Sequence, residues 1–262
     1  MRVKPIGTVG AMEGLVARIG LVARGLVYIL LGVLALLVAR GAHAEVDQTG
    51  VLAQILVKPD GKWLVAALAV GFASYALWRF WEAFSGPAGD HKISSRFLSL
   101  GRGVIYACLA YTASAVLHGS RQRQSTQQRD YAVSIMSHTG GRWLVGLVGF
   151  VLLVVGMTTI AEGIKLKFLR YFQMQGLSSR ARRWIRDLGR IGTVARGFVF
   201  AITGLLVIAA AWTHDASKAT GLDGALKTLR DQPFGGLLLG VVAAGLVIFG
   251  VYGLAEARYR RI

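Results

Sequence analysis

The sequence predicts an all-α membrane protein: six transmembrane helices arranged as three parallel tandem helical hairpins in a pseudo-threefold bundle. Composition is the first reason. Of 262 residues, 54% are hydrophobic and 34 are glycine, whereas 16% are charged, against about 25% in soluble domains. Such a chain can bury a core, but it lacks the polar surface to cover one in water. Six apolar runs long enough to cross about 30 Å of hydrocarbon are the second reason. A register of arginine, glycine and glutamate that recurs three times is the third.

The runs lie near 24–40, 63–84, 102–118, 143–164, 196–212 and 236–257. Hydrocarbon offers the backbone no hydrogen-bond partner, so each run reads as a helix. The first run of each pair is short for a span and is expected to extend into its flanks. The run from Gly25 to Ala39 follows Arg18 and Arg24 and ends at Arg40 and His43 without a small-x-small cleavage pattern. It reads as an uncleaved span.

Charge sets the orientation. Of the 30 lysines and arginines, 20 fall in the N-terminal stretch through Arg24, the second and fourth connections, and the C-terminal tail. The first, third and fifth connections hold 10. This bias places both termini in the cytoplasm of a multi-pass protein of the inner (plasma) membrane. Trp63, Trp143 and Trp212 fall at outer boundaries and Trp78 and Trp81 near an inner one, as an aromatic belt requires.

The repeat begins with two arginines six residues apart: Arg18 and Arg24, Arg96 and Arg102, Arg190 and Arg196. The second arginine is always followed by glycine (Gly25, Gly103, Gly197) and, four residues on, by Tyr28, Tyr106 or Phe200. Each second helix ends in a lone glutamate, Glu82, Glu162 or Glu256, and 21 residues before it stands Gly61, Gly141 or Gly235. The spacing from Arg24, Arg102 and Arg196 to these glutamates is 58, 60 and 60 residues. The chain therefore divides into an N-terminal cytoplasmic segment (1–17), repeat 1 (18–86), repeat 2 (96–168), a basic amphipathic cytoplasmic linker (169–189) and repeat 3 (190–258). Leu52, Ile55 and Leu56, then Ala132, Ile135 and Met136, then Leu226 and Leu229, predict a helix of one or two turns lying on the outer membrane surface in each loop.

The strings ARGLVY, GRGVIY and ARGFVF, the ending YALWRFWEAF, and GLDGALKTLRDQPFGGLLL with its distal AEA resemble the bacterial domain of unknown function 1206. The resemblance extends from about Arg18 to Arg258 and implies three tandem two-helix membrane units and a bacterial source. It implies no activity and no site residues. The first two copies lack the QPFG string of the third.

Candidate sites follow from charge. Arg24, Arg102 and Arg196 open the first helices and Glu82, Glu162 and Glu256 close the second ones, all at one depth near the cytoplasmic boundary. Opposite charges just inside hydrocarbon should pair, locking the hairpins. With Arg18, Arg96 and Arg190 included, the surplus cations suit a lipid phosphate or a small anion. Lys165, Lys167, Arg170, Arg180, Arg182, Arg183 and Arg186 interleave with Phe168, Phe172, Trp184 and Ile185, a surface for anionic lipid or an acidic partner. Cys108 reads as a small hydrophobe within a helix.

His43, His118, His138 and His214 sit at the outer side out of repeat register, so no metal site is assigned. Cofactors and nucleic-acid partners are not expected either, because the net charge of +17 is largely a topology signal. No ionisable residue lies mid-span, against an energised transporter, and no catalytic motif is present. The expected function is a non-catalytic structural or accessory module that binds anionic lipid or a partner membrane protein, which includes a homo-oligomer. The alternative is a passive channel or carrier for a small neutral or anionic solute along the pseudo-threefold axis.

Overall fold

The computed structural model describes residues 8–42, 46–86, 93–119, 124–172 and 177–260. Among them are nine α-helices in a threefold repeating order. Long first helices α1 (Thr8–Ala39), α4 (Ile93–Leu117) and α7 (Ser179–Thr213) alternate with second helices α3 (Gly61–Ser85), α6 (Gly141–Ile164) and α9 (Gly235–Tyr259). Between the members of each pair lies a short helix: α2 (Gln48–Leu56), α5 (Gln124–Met136) or α8 (Gly221–Arg230). The six long helices are long and apolar enough to cross a membrane. We call the face where α1 begins and α9 ends the terminal face.

The first helices outrun the apolar stretches that announce them. At 1.5 Å per residue, α1 and α7 reach about 48 and 52 Å, well beyond the hydrocarbon. The basic stretch is partly the first turns of α7 itself, whose start is capped by Ser178 Oγ accepting from Ala181 N at 3.2 Å. Its apolar residues divide: Ile185 packs with Phe168 and Phe172 against Phe249 and Tyr252, whereas Trp184 is 62% exposed.

Gly61, Gly141 and Gly235 each open a second helix. The residue before each is left-handed: Asp60 (φ 61°), Gly140 (φ 81°) and Phe234 (φ 59°). This turn drives the new helix against the end of the short one. A Cβ on Gly61 would stand 1.9 Å from the Ile55 carbonyl oxygen, on Gly141 1.7 Å from that of Ile135, and on Gly235 1.8 Å from that of Arg230. No side chain fits there, which explains the recurring glycine.

The short helices depart from the surface-lying segments expected of them. Leu52 and Leu226 are fully buried and join the main core, and Ala132 is buried with Ala210 and Ala219. α2, α5 and α8 cap the bundle, and α5 runs to 13 residues. The apolar faces of α2 and α8 find protein because the left-handed turn folds each helix back over the helix ends, whereas α5 buries Ala132 and leaves Tyr131, Val133 and Ile135 exposed.

Neighbouring hairpins pack closely, α3 on α4, α6 on α7 and α9 on α1, so the three repeats close into a ring. The glycine after each repeat arginine makes this contact. A Cβ on Gly103 would meet the Phe80 ring at 2.8 Å, on Gly197 the Ile160 side chain at 2.7 Å, and on Gly25 the Gly250 carbonyl at 2.8 Å. Phe80, Ile160 and Leu254 (the last 3.0 Å from the Gly25 site) occupy one repeat position, two residues before the glutamate.

Within hairpins the symmetry breaks. α1 packs on α3 and α7 on α9, whereas α4 and α6 barely touch. In the packed hairpins Gly20 lies against Tyr75, Gly71 against Ala23, Gly192 against Phe249 and Gly245 against Ala195. The corresponding small positions of repeat 2 include Leu98 and Val151, and the aromatic position is Val155. Val27 and Val199 are 4% and 2% exposed, but their equivalent Ile105 is 59% exposed.

Candidate functional site

At the terminal end of the bundle the second helices bring charge into the interior. Arg79, nearly two turns before the end of α3, is 2% exposed. Its Nη1 donates to Glu82 Oε2 at 2.5 Å and its Nη2 to the Tyr75 hydroxyl at 2.6 Å. Ser99 of α4 donates to the same Glu82 oxygen at 2.7 Å. On the other side of Tyr75, Arg24 donates to Glu256 Oε2, and Arg260 pairs with Glu256 Oε1. Arg24 Nη1 also reaches the Tyr75 hydroxyl at 3.5 Å. Trp78 lies beneath two guanidiniums, 4.4 Å from Arg79 and 5.1 Å from Arg260.

Arg196 enters the cluster without a carboxylate. Its guanidinium lies 4.9 Å from Phe200, 5.1 Å from Phe249 and 5.9 Å from Tyr28. Its Nε is buried with no hydrogen-bond partner among the described residues. Arg102 is within electrostatic range of Arg79, Arg196 and Arg260 and has no ion pair among the described residues. Arg24, Arg79 and Arg260 are buried and share two carboxylates, Arg196 is half-buried beside them, and Arg102 is exposed at the edge of the cluster. In a medium of low dielectric that surplus requires counter-charge.

Of the residues singled out in the sequence, the structure brings Arg24 and Glu256 into contact, sets Arg196 over the same Phe249 ring as Arg24, and leaves Arg102 exposed at the edge. The Arg24–Glu256 tie joins repeat 1 to repeat 3 rather than closing a hairpin, because α9 packs on α1 at that depth. Glu82 takes Arg79 of its own helix. Glu162 is exposed and, among the described residues, forms no ion pair.

The outer arginines stay at the rim. Arg18 donates to the Arg258 carbonyl at 3.2 Å, Arg96 donates to the Ala83 carbonyl at 2.8 Å and to that of Phe84, and Arg190 is exposed. Lys165, Lys167, Arg170, Arg180, Arg182, Arg183 and Arg186 are exposed on the terminal face. Arg186 pairs with Asp187 at 3.0 Å.

Sequence reasoning missed Arg79, Tyr75 and Arg260. Repeat register hides Arg79, because its equivalents are Thr159 and Gly253. The usable signal was an arginine three residues before Glu82, an i,i+3 pair on one helix face. Trp78 is not a belt residue: at 8% exposed it belongs to this cluster, while Trp63, Trp143 and Trp212 are largely exposed at the opposite boundary. Cys108 lies within α4, as expected, and is exposed.

His43 lies outside the described residues. His118 and His138 each place Nδ1 against a carbonyl of their own helix, at 2.7 and 2.8 Å, and His214 Nε2 meets Arg142 at 2.8 Å. At the opposite face, Asp223 Oδ1 accepts from Val46 N at 2.9 Å and Asp47 caps α2 by accepting from Gly50 N at 2.7 Å. Burial raises the Asp47 pKa above the ordinary carboxylate value, opposed by the Gly50 hydrogen bond and reinforced by nearby Asp223. Two recesses of about 430 and 540 Å³ lie among the short helices and the perimeter.

Fold and site together define a helical membrane protein of three tandem hairpins, with an arginine-rich cluster enclosed at one end. The family described as Domain of Unknown Function (DUF1206) matches residues 19–86, 99–165 and 191–260, one match per hairpin, and this chain belongs to it. The chain is similar to the uncharacterized protein YxxB of Bacillus subtilis (strain 168), 30% identical over 250 residues that cover 94% of this chain and 90% of the relative. No solved structure matches it at a significant level.

Proposed function

We propose that this protein is a non-catalytic accessory module of the bacterial inner membrane. It holds anionic lipid at its terminal face, and that face looks into the cytoplasm. The observation that carries the reading is the surplus of cations at the terminal cluster, where half-buried Arg196 and exposed Arg102 are free of carboxylates among the described residues. Guanidinium geometry suits a phosphate, to which it can donate two parallel hydrogen bonds. The exposed basic residues from Lys165 to Arg186 add attraction for the same headgroups, about 1 kcal/mol each near an anionic surface. The lysine and arginine asymmetry supports the orientation.

The channel alternative gains no comparable observation. Val27, Leu31, Leu34, Phe72, Val199 and Leu246 belong to one buried core between the long helices, with Tyr106 packed 4.3 Å from Tyr75 at its terminal end.

The test is thermal unfolding in nanodiscs of zwitterionic lipid alone and with added anionic phospholipid. At a hundredfold excess over Kd, bound lipid stabilises by about 2.7 kcal/mol. For a chain of this size that raises Tm by about 5–10 °C. Combining Arg102→Gln with Arg196→Gln should abolish the rise while shifting the Tm in zwitterionic lipid by no more than about 2–4 °C, because the ring contacts that Arg196 loses are offset by removal of unpaired charge. Equal Tm values in both lipids for the unaltered protein would refute the reading.

A further inference from the structure

We propose that the open second hairpin is a lateral slot that seats one anionic glycerophospholipid, its phosphate against Arg102 and Arg196 and an acyl chain between α4 and α6. This rests on the lipid reading above and adds where the lipid sits and how it enters.

Repeat equivalence identifies the slot. The α3 face that meets α1 consists of Leu68, Gly71, Phe72 and Tyr75, all buried, and the α9 face that meets α7 of Gly245, Leu246 and Phe249, buried likewise. On α6 the matching positions include Val148, Val151 and Val155, which are 50%, 51% and 37% exposed. Opposite them on α4, Leu98 and Ile105 are 58% and 59% exposed. Two apolar faces that meet in the other hairpins stand apart in this one. Leu98 and Val151 replace the glycines that let the backbones approach, so the gap is written into the sequence.

What occupies the slot follows from its ends. α5 packs on α6 and contacts α2, bounding the opposite end. At the terminal end stands Arg102, near Arg79, Arg196 and Arg260. A molecule that fills both regions is apolar along one bilayer leaflet and anionic at the interface, which describes a phospholipid with a net negative headgroup. A transmembrane helix from a second copy would cover the apolar faces and leave the cations without counter-charge.

The experiment is photolabelling in nanodiscs with phosphatidylglycerol that carries a diazirine in its acyl chain, followed by peptide mapping. Labelling is expected to concentrate on peptides of 98–105 and 148–155, above that on the exposed perimeter residues Leu237 and Val241 of α9. Arg102→Gln with Arg196→Gln should lower it about tenfold or more, the effect of losing one charge-assisted hydrogen bond. Leu98→Trp and Val155→Trp, tested singly, should exclude the label by filling the slot without touching the arginines. Should one variant fail to fold, the other and the unaltered protein still decide. Labelling spread evenly around the perimeter would overturn the slot. If anionic lipid still raises Tm in that case, the lipid reading survives without it. Protection of both faces by a second copy, seen as a crosslinked dimer through α4 or α6, would also overturn the proposal.

Discussion

Glu82, Glu162 and Glu256 hold one repeat position, yet the structure gives them three different fates, so neutralising each in turn is a direct test. Glu256→Gln removes the carboxylate shared by Arg24 and Arg260, both of which are 8% exposed. Breaking a buried pair by deleting one partner costs about 3–5 kcal/mol, because the other charge stays enclosed. At about 2–4 °C per kcal/mol for a chain of this length, Tm should fall by about 6–20 °C. Glu82→Gln deprives Arg79 and Ser99 of one acceptor and should fall in the same range, toward its lower end because Glu82 sits at the edge of the cluster. Glu162→Gln changes an exposed group and should stay within about 0.5 kcal/mol. The assay is thermal unfolding of the three variants in a single detergent. A drop for Glu162→Gln as large as that for Glu256→Gln would mean instead that repeat position rather than local geometry sets the energetics.

Other outcomes follow from the same geometry. Gly61→Ala and Gly141→Ala should each lower folded yield and Tm sharply, since the added Cβ would lie under 2 Å from a carbonyl oxygen. Gly240→Ala, with open space around it, should be neutral or stabilise by up to about 1 kcal/mol through helix propensity; these are read by fluorescence-detected size exclusion and thermal unfolding. Because the Asp47 pKa is raised on folding, its ionisation opposes folding as pH rises from the unfolded value through the folded one. Asp47→Asn, which keeps an acceptor for Gly50 N, should therefore match or exceed the unaltered protein in Tm at neutral pH and lose that advantage in acid. Asp47→Ala should lose about 1 kcal/mol with the cap in acid and less at neutral pH, where it also removes the cost of ionisation.

The fold was legible where physics acts on one chain segment at a time. Apolar run length gives the six spans, and the period of the arginines, glycines and glutamates gives three units in parallel orientation. The register even marks the helix starts, because Gly61, Gly141 and Gly235 answer the same steric demand. Contacts between repeats were harder to read. Arg24 meets Glu256 rather than Glu82 because the ring closes through α9 and α1, a fact of assembly and not of spacing. The buried cluster was half visible: its repeat-equivalent arginines stood out, whereas Arg79, Tyr75 and Arg260 break the register and escape it. The open hairpin was present in the sequence as Leu98 and Val151 in place of glycines. Its meaning emerges only once the packed hairpins show what those glycines touch.

The surplus positive charge around Arg102 and Arg196 is expected to meet a lipid phosphate. Native mass spectrometry of the protein released from bacterial membranes measures this most directly. The unaltered protein should retain an anionic phospholipid that resists activation, is lost from the Arg102→Gln, Arg196→Gln variant, and persists when exposed Arg190 is changed to Gln. A protein that emerges free of lipid, or that keeps the same lipid in all three forms, would contradict it.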